Sequence, residues 1–273
     1  MRIGMLTSGG DCQGLNAALR GVAKTLFENV PDVEILGYLD GYKGLIEGNY
    51  RKMTSEEFSG ILTLGGTILG TARRPYKEMD NPAETEFEET RFEAMLRNYK
   101  EQKLDALVIL GGNGTHKSAY RLSQEGCNIV TLPKTIDNDL WGTEMTFGFQ
   151  SAVNIATDVI DGIHTTATSH GRIFVIELMG NKVGWLTLYA GIAGGADIIL
   201  LPEIPYNIES ICRALQHRTN EGKRFSIIAM AEGAKSEEED QMSKKEYKEY
   251  LASLPYPSLA YKLADDLNQR MDQ

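Results

Sequence analysis

The feature that most constrains the fold of this 273-residue chain is a repeated succession of a short apolar run, a turn and a helical segment. Residues 2–7, 106–110 and 173–178 are three such runs, each of a length typical of strands rather than helices. Continuous apolar runs, as opposed to alternating ones, are typical of parallel strands that are buried on both faces. We therefore predict a doubly wound α/β fold, and two sheets fit the chain length.

The overall composition excludes several classes of protein. Hydrophobic residues make up 42% of the chain, which is enough for a sizeable core. The formal net charge of −10 argues against nucleic acid or an anionic membrane as a partner. Cys12, Cys127 and Cys212 lack metal-site spacing, so we expect free thiols. The chain opens on a strand-like segment, with no signal peptide and no long apolar run, and we expect a cytoplasmic protein.

Two acids, an amide, a hydroxyl and an ammonium are concentrated in the six residues Lys134–Asp139. The apolar run 128–132 before them is predicted to be a buried strand that ends at Pro133. The cluster would then lie at the carboxyl end of a strand, where open α/β sheets bind ligands. Asp137 and Asp139 can share one side of an extended segment, so one carboxylate could accept a proton and the other hold a metal ion. The alternative is an acidic turn whose Asp and Asn side chains bond the local backbone.

Glycine-rich turns at residues 8–16 and 111–115 each follow a predicted strand and precede a predicted helix. Glycines let backbone N–H groups approach a ligand, and a helix N-terminus favours an anion, so both turns are candidate phosphate-binding loops. The first turn fits neither the dinucleotide-binding nor the P-loop pattern, and a tight turn without a ligand is the alternative. Arg73 and Arg74, before Pro75, are expected to hold phosphate through their planar guanidinium groups, unless they are a solvated surface pair.

Three further segments carry predictions about local structure. Residues 40–45 are expected to form a loop that offers the ring of Tyr42. Residues 84–103 are predicted to be a charged helix, and residues 235–241 a charged loop. No low-complexity linker divides the chain, and we place the domain boundary near residue 147.

Taken in order, these motifs strongly resemble the phosphofructokinase A-type family, most closely its mixed-substrate bacterial group. The motifs are Thr7–Asp11, Gly70–Arg73, Gly111–Thr115, Pro133–Asp139, Ser169–Arg172, Met179–Asn181 and Ala231–Gly233. They extend over essentially the whole chain, and Thr135–Asp139 is far more specific than the glycine loops. The resemblance implies two doubly wound Rossmann-like domains with the active site between them. Residues 1–147 would bind the phosphoryl donor and residues 148–273 fructose 6-phosphate.

The activity that the resemblance implies is that of an ATP-dependent 6-phosphofructokinase, a glycolytic, allosteric kinase that uses Mg²⁺ and forms a homodimer or homotetramer. Asp137 would be the general base that takes the proton from the 1-hydroxyl of the sugar, and Thr135 would bind the transferring phosphoryl group or the sugar. Arg172 would grip the sugar phosphate bound to a neighbouring subunit. The implied metal ligands are Asp139 and Asn113. The residues that would line the sugar site are Met179, Gly180, Asn181 and Glu232. The implied donor-binding residues are Gly10, Arg73, Arg74, Gly112, Asn113, Gly114, Thr115 and Lys134.

Three departures from the family pattern bear on these roles. Asn113 stands where many members have an acid that ligates Mg²⁺, and an amide oxygen can coordinate a cation without carrying charge. Asn181 replaces an arginine that is common after Met-Gly. Members usually continue into a Gly-His-x-Gln-Arg-Gly-Gly segment that contacts the sugar phosphate, which is not found before Gln273, so we expect the C-terminal part of the second domain to be missing.

Gly114 and Lys134 point to different phosphoryl donors. Pyrophosphate users in the family commonly have Asp at the position of Gly114, whose carboxylate would repel the α-phosphate of ATP, and they have Lys at the position of Lys134. Because an ammonium can hold either donor whereas a carboxylate excludes one, Gly114 favours ATP.

Three other functions fit fewer of the motifs. One is a pyrophosphate-dependent phosphofructokinase. A second is a non-catalytic sugar-phosphate-binding or partner-regulating paralogue, suggested by Asn113, Asn181 and the C-terminal part that we expect to be missing. A third is a relative of the NAD or lipid kinases, which share a similar glycine loop but lack the Thr135–Asp139 motif.

Overall fold

The computed structural model describes residues 1–74 and 76–271, and strands alternate with helices along both described stretches. Contacts divide the chain into two units: residues 1–136 with 140–151, and residues 137–139 with 152 onward. The change of unit therefore falls after Ser151, close to residue 147, and the segment Asp137–Asp139 groups with the second unit.

The first unit is built on a six-stranded sheet in the order β3-β2-β1-β4-β5-β6, in which β3 is antiparallel and the other strands are parallel. Its elements are β1 (Arg2–Ser8), α1 (Leu15–Asn29), β2 (Glu34–Tyr38), α2 (Tyr42–Glu47), β3 (Tyr50–Met53), α3 (Arg91–Glu101), β4 (Ala106–Gly111), α4 (Asn113–Gln124), β5 (Ile129–Thr135) and β6 (Phe147–Gly148).

Side chains that alternate along the strands fill a separate core on each face of this sheet. On β4, Leu107 and Ile109 pack in the cluster that includes α2, α3 and α4. Val108 and Leu110 pack in the other cluster, which includes Leu19 of α1. All six residues of β4 are buried, which explains why its sequence is continuously apolar.

The second unit repeats this design around a smaller parallel sheet in the order β7-β9-β8. Ile228 and Met230 of its central strand face one core, and Ile227 and Ala229 face the other. The confirmed fold class is thus α/β, with helices on both faces of each sheet. The elements are α5 (Phe149–His170, which begins in the first unit), β7 (Ile173–Leu178), α6 (Trp185–Ala193), β8 (Ile198–Leu200), α7 (Ile208–Asn220), β9 (Ser226–Ala231), α8 (Glu237–Asp240), α9 (Lys244–Ser253) and α10 (Leu259–Met271).

Two predictions about where elements begin or end were wrong. Pro133 does not end the strand, because β5 continues to Thr135 and there pairs with β6; proline costs a strand only one N–H donor, and its fixed φ suits extended backbone. The helix predicted over residues 84–103 begins only at Arg91, because Thr90 and Glu93 form a capping box that sets its first turn.

Two predicted loops are helical instead. Residues 42–47 form α2, and Tyr42 is fully buried, so its ring is not offered to a ligand. Its hydroxyl donates a hydrogen bond to the carbonyl of Thr115 over 2.9 Å. The charged segment 235–241 contains α8, which begins at a capping box between Ser236 and Glu239. The three cysteines are free, as predicted, and none of the helices within the described ranges is long and apolar enough to cross a membrane.

A buried ion pair joins α8 to α10 in the second unit. Lys262 Nζ lies 3.2 Å from Glu239 Oε1 and 2.9 Å from Asp266 Oδ2, and the Glu239 side chain is only 3% exposed. The hydroxyl of Tyr250 also donates to Glu239 Oε1 over 3.1 Å. Removing one partner of such a pair leaves a buried charge without compensation.

We expect Lys262→Met to lower the free energy of unfolding by about 3 kcal/mol, because the carboxylate of Glu239 loses its cation inside the protein. Lys245→Met is the matched control, since that exposed lysine lies 3.9 Å from Glu249 on the surface of α9; it should change stability by less than about 0.5 kcal/mol. Urea unfolding followed by circular dichroism measures both. Equal losses in the two variants would contradict a special role for the buried pair.

Candidate functional site

The carboxyl ends of three neighbouring strands align at one edge of the first unit's sheet. Ser8 of β1 lies opposite Gly111 of β4, and Gly111 lies opposite Pro133 of β5. The turns that follow these strands therefore start side by side. The chain leaves β1 towards β2 on one side and leaves β4 towards β5 on the other, so the strand order reverses between β1 and β4. Such a reversal opens the crevice in which doubly wound sheets bind ligands.

Two helices begin at this edge without a side-chain cap. The N-cap residues are Gly14 for α1 and Gly112 for α4, and neither supplies a side-chain acceptor. By contrast, Thr90 caps α3 by accepting from the N–H of Glu93. The first N–H groups of α1 and α4 thus remain available, together with the positive end of each helix dipole, and this arrangement suits an anion.

Lys134 places a cation between the two turns. It is 7% exposed, and its Nζ donates a hydrogen bond to the carbonyl of Gly10 over 2.5 Å. A Cβ atom built on Gly9 would lie 4.0 Å from both Lys134 Nζ and Thr115 Oγ1, so these groups surround the small space beside that glycine. The buried ammonium and the uncapped helix N-termini add positive potential at this edge, although the chain as a whole is acidic.

Cys12 lies in the first turn but is not suited to nucleophilic chemistry. Burial raises the pKa of its thiol above the ordinary value, and the nearby ammonium of Lys134 acts in the opposite direction more weakly. The thiol donates to the carbonyl of Phe147 over 3.7 Å. A protonated, packed thiol is a structural group rather than a reactive one.

The first turn of α4 consists of residues that the sequence suggested were loop. Asn113, Gly114 and Thr115 are helical. Thr115 is buried, and its hydroxyl donates to the carbonyl of Ser8 over 3.5 Å, which ties α4 to the end of β1. A Cβ atom on Gly114 would have no other atom within 4 Å, so the space beside this residue is open.

The two arginines behave differently from one another. Arg73 is exposed, and its Nη2 lies 3.8 Å from the position of a Cβ atom on Gly10, at the rim of the first turn. Arg74 is half-buried, and its Nε has no hydrogen-bond partner in the described part of the chain. The structure thus brings Arg73, Gly10, Lys134 and the start of α4 together.

Asn16 holds the loop that carries Arg73, and the sequence prediction missed it. The side chain is fully buried; its amide N–H groups donate to the carbonyls of Leu64 (3.0 Å) and Gly65 (3.3 Å), and its Oδ1 accepts from the N–H of Ile68 (2.8 Å). Thr71 completes the attachment by donating to the carbonyl of Gly9 over 2.8 Å. An asparagine within the apolar start of α1 was the available signal, because a buried amide must find partners.

The acidic segment follows β5 directly. Asp137 comes two residues after Thr135 and is half-buried, whereas Asp139 is exposed. Asn138 between them has φ of 53°, a left-handed conformation that Asn tolerates better than most residues. This residue turns the chain, so Asp137 and Asp139 do not belong to one extended strand, as the alternation argument had assumed.

In the second unit, the structure brings together most of the residues expected to bind the sugar. Leu178 and Ala231 are paired at the ends of β7 and β9, so the segments that follow them are adjacent. The N–H of Gly180 donates to Glu232 Oε1 over 3.4 Å. The backbone of Asn181 packs against Gly233, since a Cβ atom on Gly233 would lie 1.9 Å from the carbonyl oxygen of Asn181. Met179 is 57% exposed and therefore accessible to a ligand.

Arg172 is the exception. It precedes β7, whereas Met179 and Glu232 follow β7 and β9. The six residues of β7 separate the two positions by roughly 20 Å along the strand. Arg172 thus lies at the amino edge of the small sheet and does not join the other predicted sugar-binding residues of its own chain.

The two residues expected to bind Mg²⁺ offer oxygen atoms, the type of ligand atom that this ion prefers. Asp139 offers an exposed carboxylate and Asn113 an amide oxygen on the first turn of α4. No cluster of three or more His, Cys, Asp or Glu residues able to hold a metal occurs within residues 1–74 and 76–271. Mg²⁺ typically binds through one or two protein oxygens plus water and substrate phosphates, so a sparse set of ligands fits this ion.

Comparisons with known proteins agree with this geometry. The sequence model of the Phosphofructokinase family matches residues 2–272. An ATP-dependent 6-phosphofructokinase from Spirochaeta thermophila is 55% identical, over 96% of this chain and 71% of that protein. One from Propionibacterium freudenreichii is 53% identical, over 87% of this chain and 62% of that protein. The structure of phosphofructokinase from Saccharomyces cerevisiae superimposes with a TM-score of 0.76 at 33% identity, covering 94% of this chain and 37% of that chain. The present chain thus matches only part of each relative's length.

We expect Asn16→Ala to lower the free energy of unfolding by about 2 kcal/mol, because three partly buried backbone groups of the loop lose their partner. The freed loop should also be cut faster by trypsin after Arg73. Asn29→Ala is the control, since that asparagine is exposed and its amide donates to the carbonyl of Thr25 within its own helix. Urea unfolding and timed proteolysis measure the two effects, and an unchanged rate of cleavage after Arg73 would contradict the attachment.

Proposed function

Because this chain belongs to the phosphofructokinase family, we propose that it is an ATP-dependent 6-phosphofructokinase, which transfers the γ-phosphoryl group of ATP to the 1-hydroxyl of fructose 6-phosphate. The observation that carries this proposal is the pair of uncapped helices, α1 and α4, together with the buried ammonium of Lys134, which bonds the carbonyl of Gly10 in the turn before α1. Phosphoryl transfer requires positioning and charge neutralisation more than covalent participation by the protein, and this arrangement supplies both.

The residues of the first unit would bind the donor. Backbone N–H groups at the starts of α1 and α4 donate to phosphate oxygens. Gly10 belongs to the turn before α1, Gly112 is the N-cap of α4, and Thr115 lies in the first turn of α4. Arg73 and Lys134 balance the phosphate charge from two sides, and Arg74 lies next to Arg73 in the chain. Mg²⁺, when bound through Asp139 and Asn113, supplies further neutralisation of the phosphate oxygens.

The acceptor hydroxyl would lose its proton to Asp137. This carboxylate follows Thr135, the last residue of β5, so the strand that carries Lys134 leads directly to the proposed base. Thr135 contacts the transferring group or the sugar. Met179, Gly180, Asn181 and Glu232 hold the sugar in the second unit, where the ends of β7 and β9 are adjacent. A base within reach of the attacking hydroxyl is all the acid–base chemistry that the step needs.

Arg172 would serve a second copy of the chain. Its place at the amino edge of the small sheet, away from Met179 and Glu232, supports this role. A homodimer or homotetramer therefore completes the sugar-phosphate site, with Arg172 of one subunit binding the phosphate held by its neighbour. A guanidinium group suits that task because it donates two parallel hydrogen bonds to phosphate.

The base assignment predicts that Asp137→Ser reduces turnover by about 10²–10⁴-fold and leaves fructose 6-phosphate binding nearly unchanged, since only proton transfer is lost. Asp161→Ser, which removes an exposed carboxylate from α5, is the control. A coupled assay with ATP and fructose 6-phosphate gives turnover, and calorimetry gives sugar binding. Near-normal turnover of the Asp137 variant at saturating substrate would refute the assignment; a wild-type protein that binds fructose 6-phosphate without turnover would instead favour a non-catalytic paralogue.

The choice of ATP over pyrophosphate depends on the open space beside Gly114. Gly114→Asp should lower kcat/KM for ATP at least about tenfold more than kcat/KM for pyrophosphate, because the carboxylate occupies that space and repels the α-phosphate. Gly21→Asp is the control, as Gly21 of α1 also has open space around it. Steady-state kinetics with both donors test this, and a wild-type preference for pyrophosphate, or equal impairment with both donors, would overturn the choice of ATP.

A further inference from the structure

His116 makes a contact at the start of α4 that none of the roles above explains. Its Nε2 lies 2.9 Å from the carbonyl oxygen of Gly111, the last residue of β4. A carbonyl oxygen can only accept a hydrogen bond, so Nε2 must carry the proton. His116 is the fourth residue of α4, and helical side chains lean towards the helix N-terminus. The imidazole therefore reaches back across the first turn to the end of the strand.

The segment that this hydrogen bond spans is rich in glycine. Three of the four residues Gly111–Gly114 are glycines, which have far more backbone freedom than other residues. Gly112, the N-cap, has no side chain to fix the first turn, and Gly114 has no neighbour within 4 Å of a Cβ position. The same turn carries the N–H groups proposed to bind phosphate, so their placement depends on the contacts that hold this turn.

Side chains of other elements hold the far side of this turn. The hydroxyl of Tyr42 donates to the carbonyl of Thr115, and the hydroxyl of Thr115 donates to the carbonyl of Ser8. Both contacts fix residue 115. At the other end of the glycine run, strand pairing holds the backbone of Gly111, and the imidazole of His116 bonds its carbonyl and so ties the end of β4 to the first turn of α4.

We propose that His116 is a positioning residue for the phosphoryl donor: its Nε2–H···O=C bond to Gly111 holds the strand-to-helix turn so that the N–H groups of Asn113, Gly114 and Thr115 face the donor phosphates together. This inference rests on the proposed function of the same site. A turn arranged before the ligand arrives binds it without first losing backbone freedom, so the contribution of His116 is to donor affinity rather than to proton transfer.

The test distinguishes the two ring nitrogens by side-chain length. Gln places an amide N–H close to the position of Nε2, Asn places one near Nδ1, and Leu provides none. We expect His116→Gln to keep the KM for ATP within about twofold of wild type, and His116→Asn and His116→Leu to raise it about tenfold. In all three variants kcat and the KM for fructose 6-phosphate should stay within about twofold. Tyr120→Leu, on the same helix with a 66% exposed side chain, is the control and should change neither KM.

Calorimetric titration with MgATP, next to the kinetics and circular dichroism of each variant, separates failure of this inference from failure of the proposed function. If the affinities of the wild type and the variants for ATP follow the expected order but the wild type shows no turnover, the positioning role stands and the proposed activity fails. If the enzyme is active and Asn serves as well as Gln, or if kcat and both KM values change in parallel, the positioning role is wrong. Absence of ATP binding by wild type would overturn both.

Discussion

The constraint on which this site depends is that helix N-termini leave N–H groups without partners. The first N–H groups of a helix must bond a side chain, water or a ligand. Helix α3 meets this need with Thr90, as α7, α8 and α9 do with Asn207, Ser236 and Ser243. Helices α1 and α4 begin instead at glycines. Both helices begin at the edge where the strand order reverses, so the sheet topology places N–H groups without a side-chain cap where the proposed function needs donors for phosphate.

Much of the surrounding structure serves to keep these donors in place. Asn16 fixes the loop that carries Arg73, Thr115 bonds the end of β1, and the buried hydroxyl of Tyr42 bonds Thr115 in turn. Each of these side chains donates to a backbone carbonyl, which is how a buried polar side chain avoids a desolvation cost. The composition of the glycine loops thus allows backbone freedom, and polar side chains from other elements hold these loops in the fold.

The second unit divides its candidate binding residues between the two edges of one sheet. Met179, Gly180 and Glu232 follow β7 and β9, whereas Arg172 precedes β7. A strand cannot present its two ends at one place, so these residues act together only if a second copy contributes. The proposed need for an oligomer therefore comes from the direction of a single strand.

The sequence by itself determined the fold class, the succession of most strands along the chain and the glycine-rich turns that follow them, because apolar runs and glycines are local signals that each residue carries with it. Only the tertiary structure decided that Tyr42 is buried, that Arg172 stands apart from Glu232, and that Asn16 and His116 hold the turns. Asn16 bonds a residue 52 positions away, and no periodic pattern in the sequence indicates a contact of that kind. Periodic burial predicts which face of an element is inside, but which polar side chain meets which carbonyl depends on the packing of distant segments.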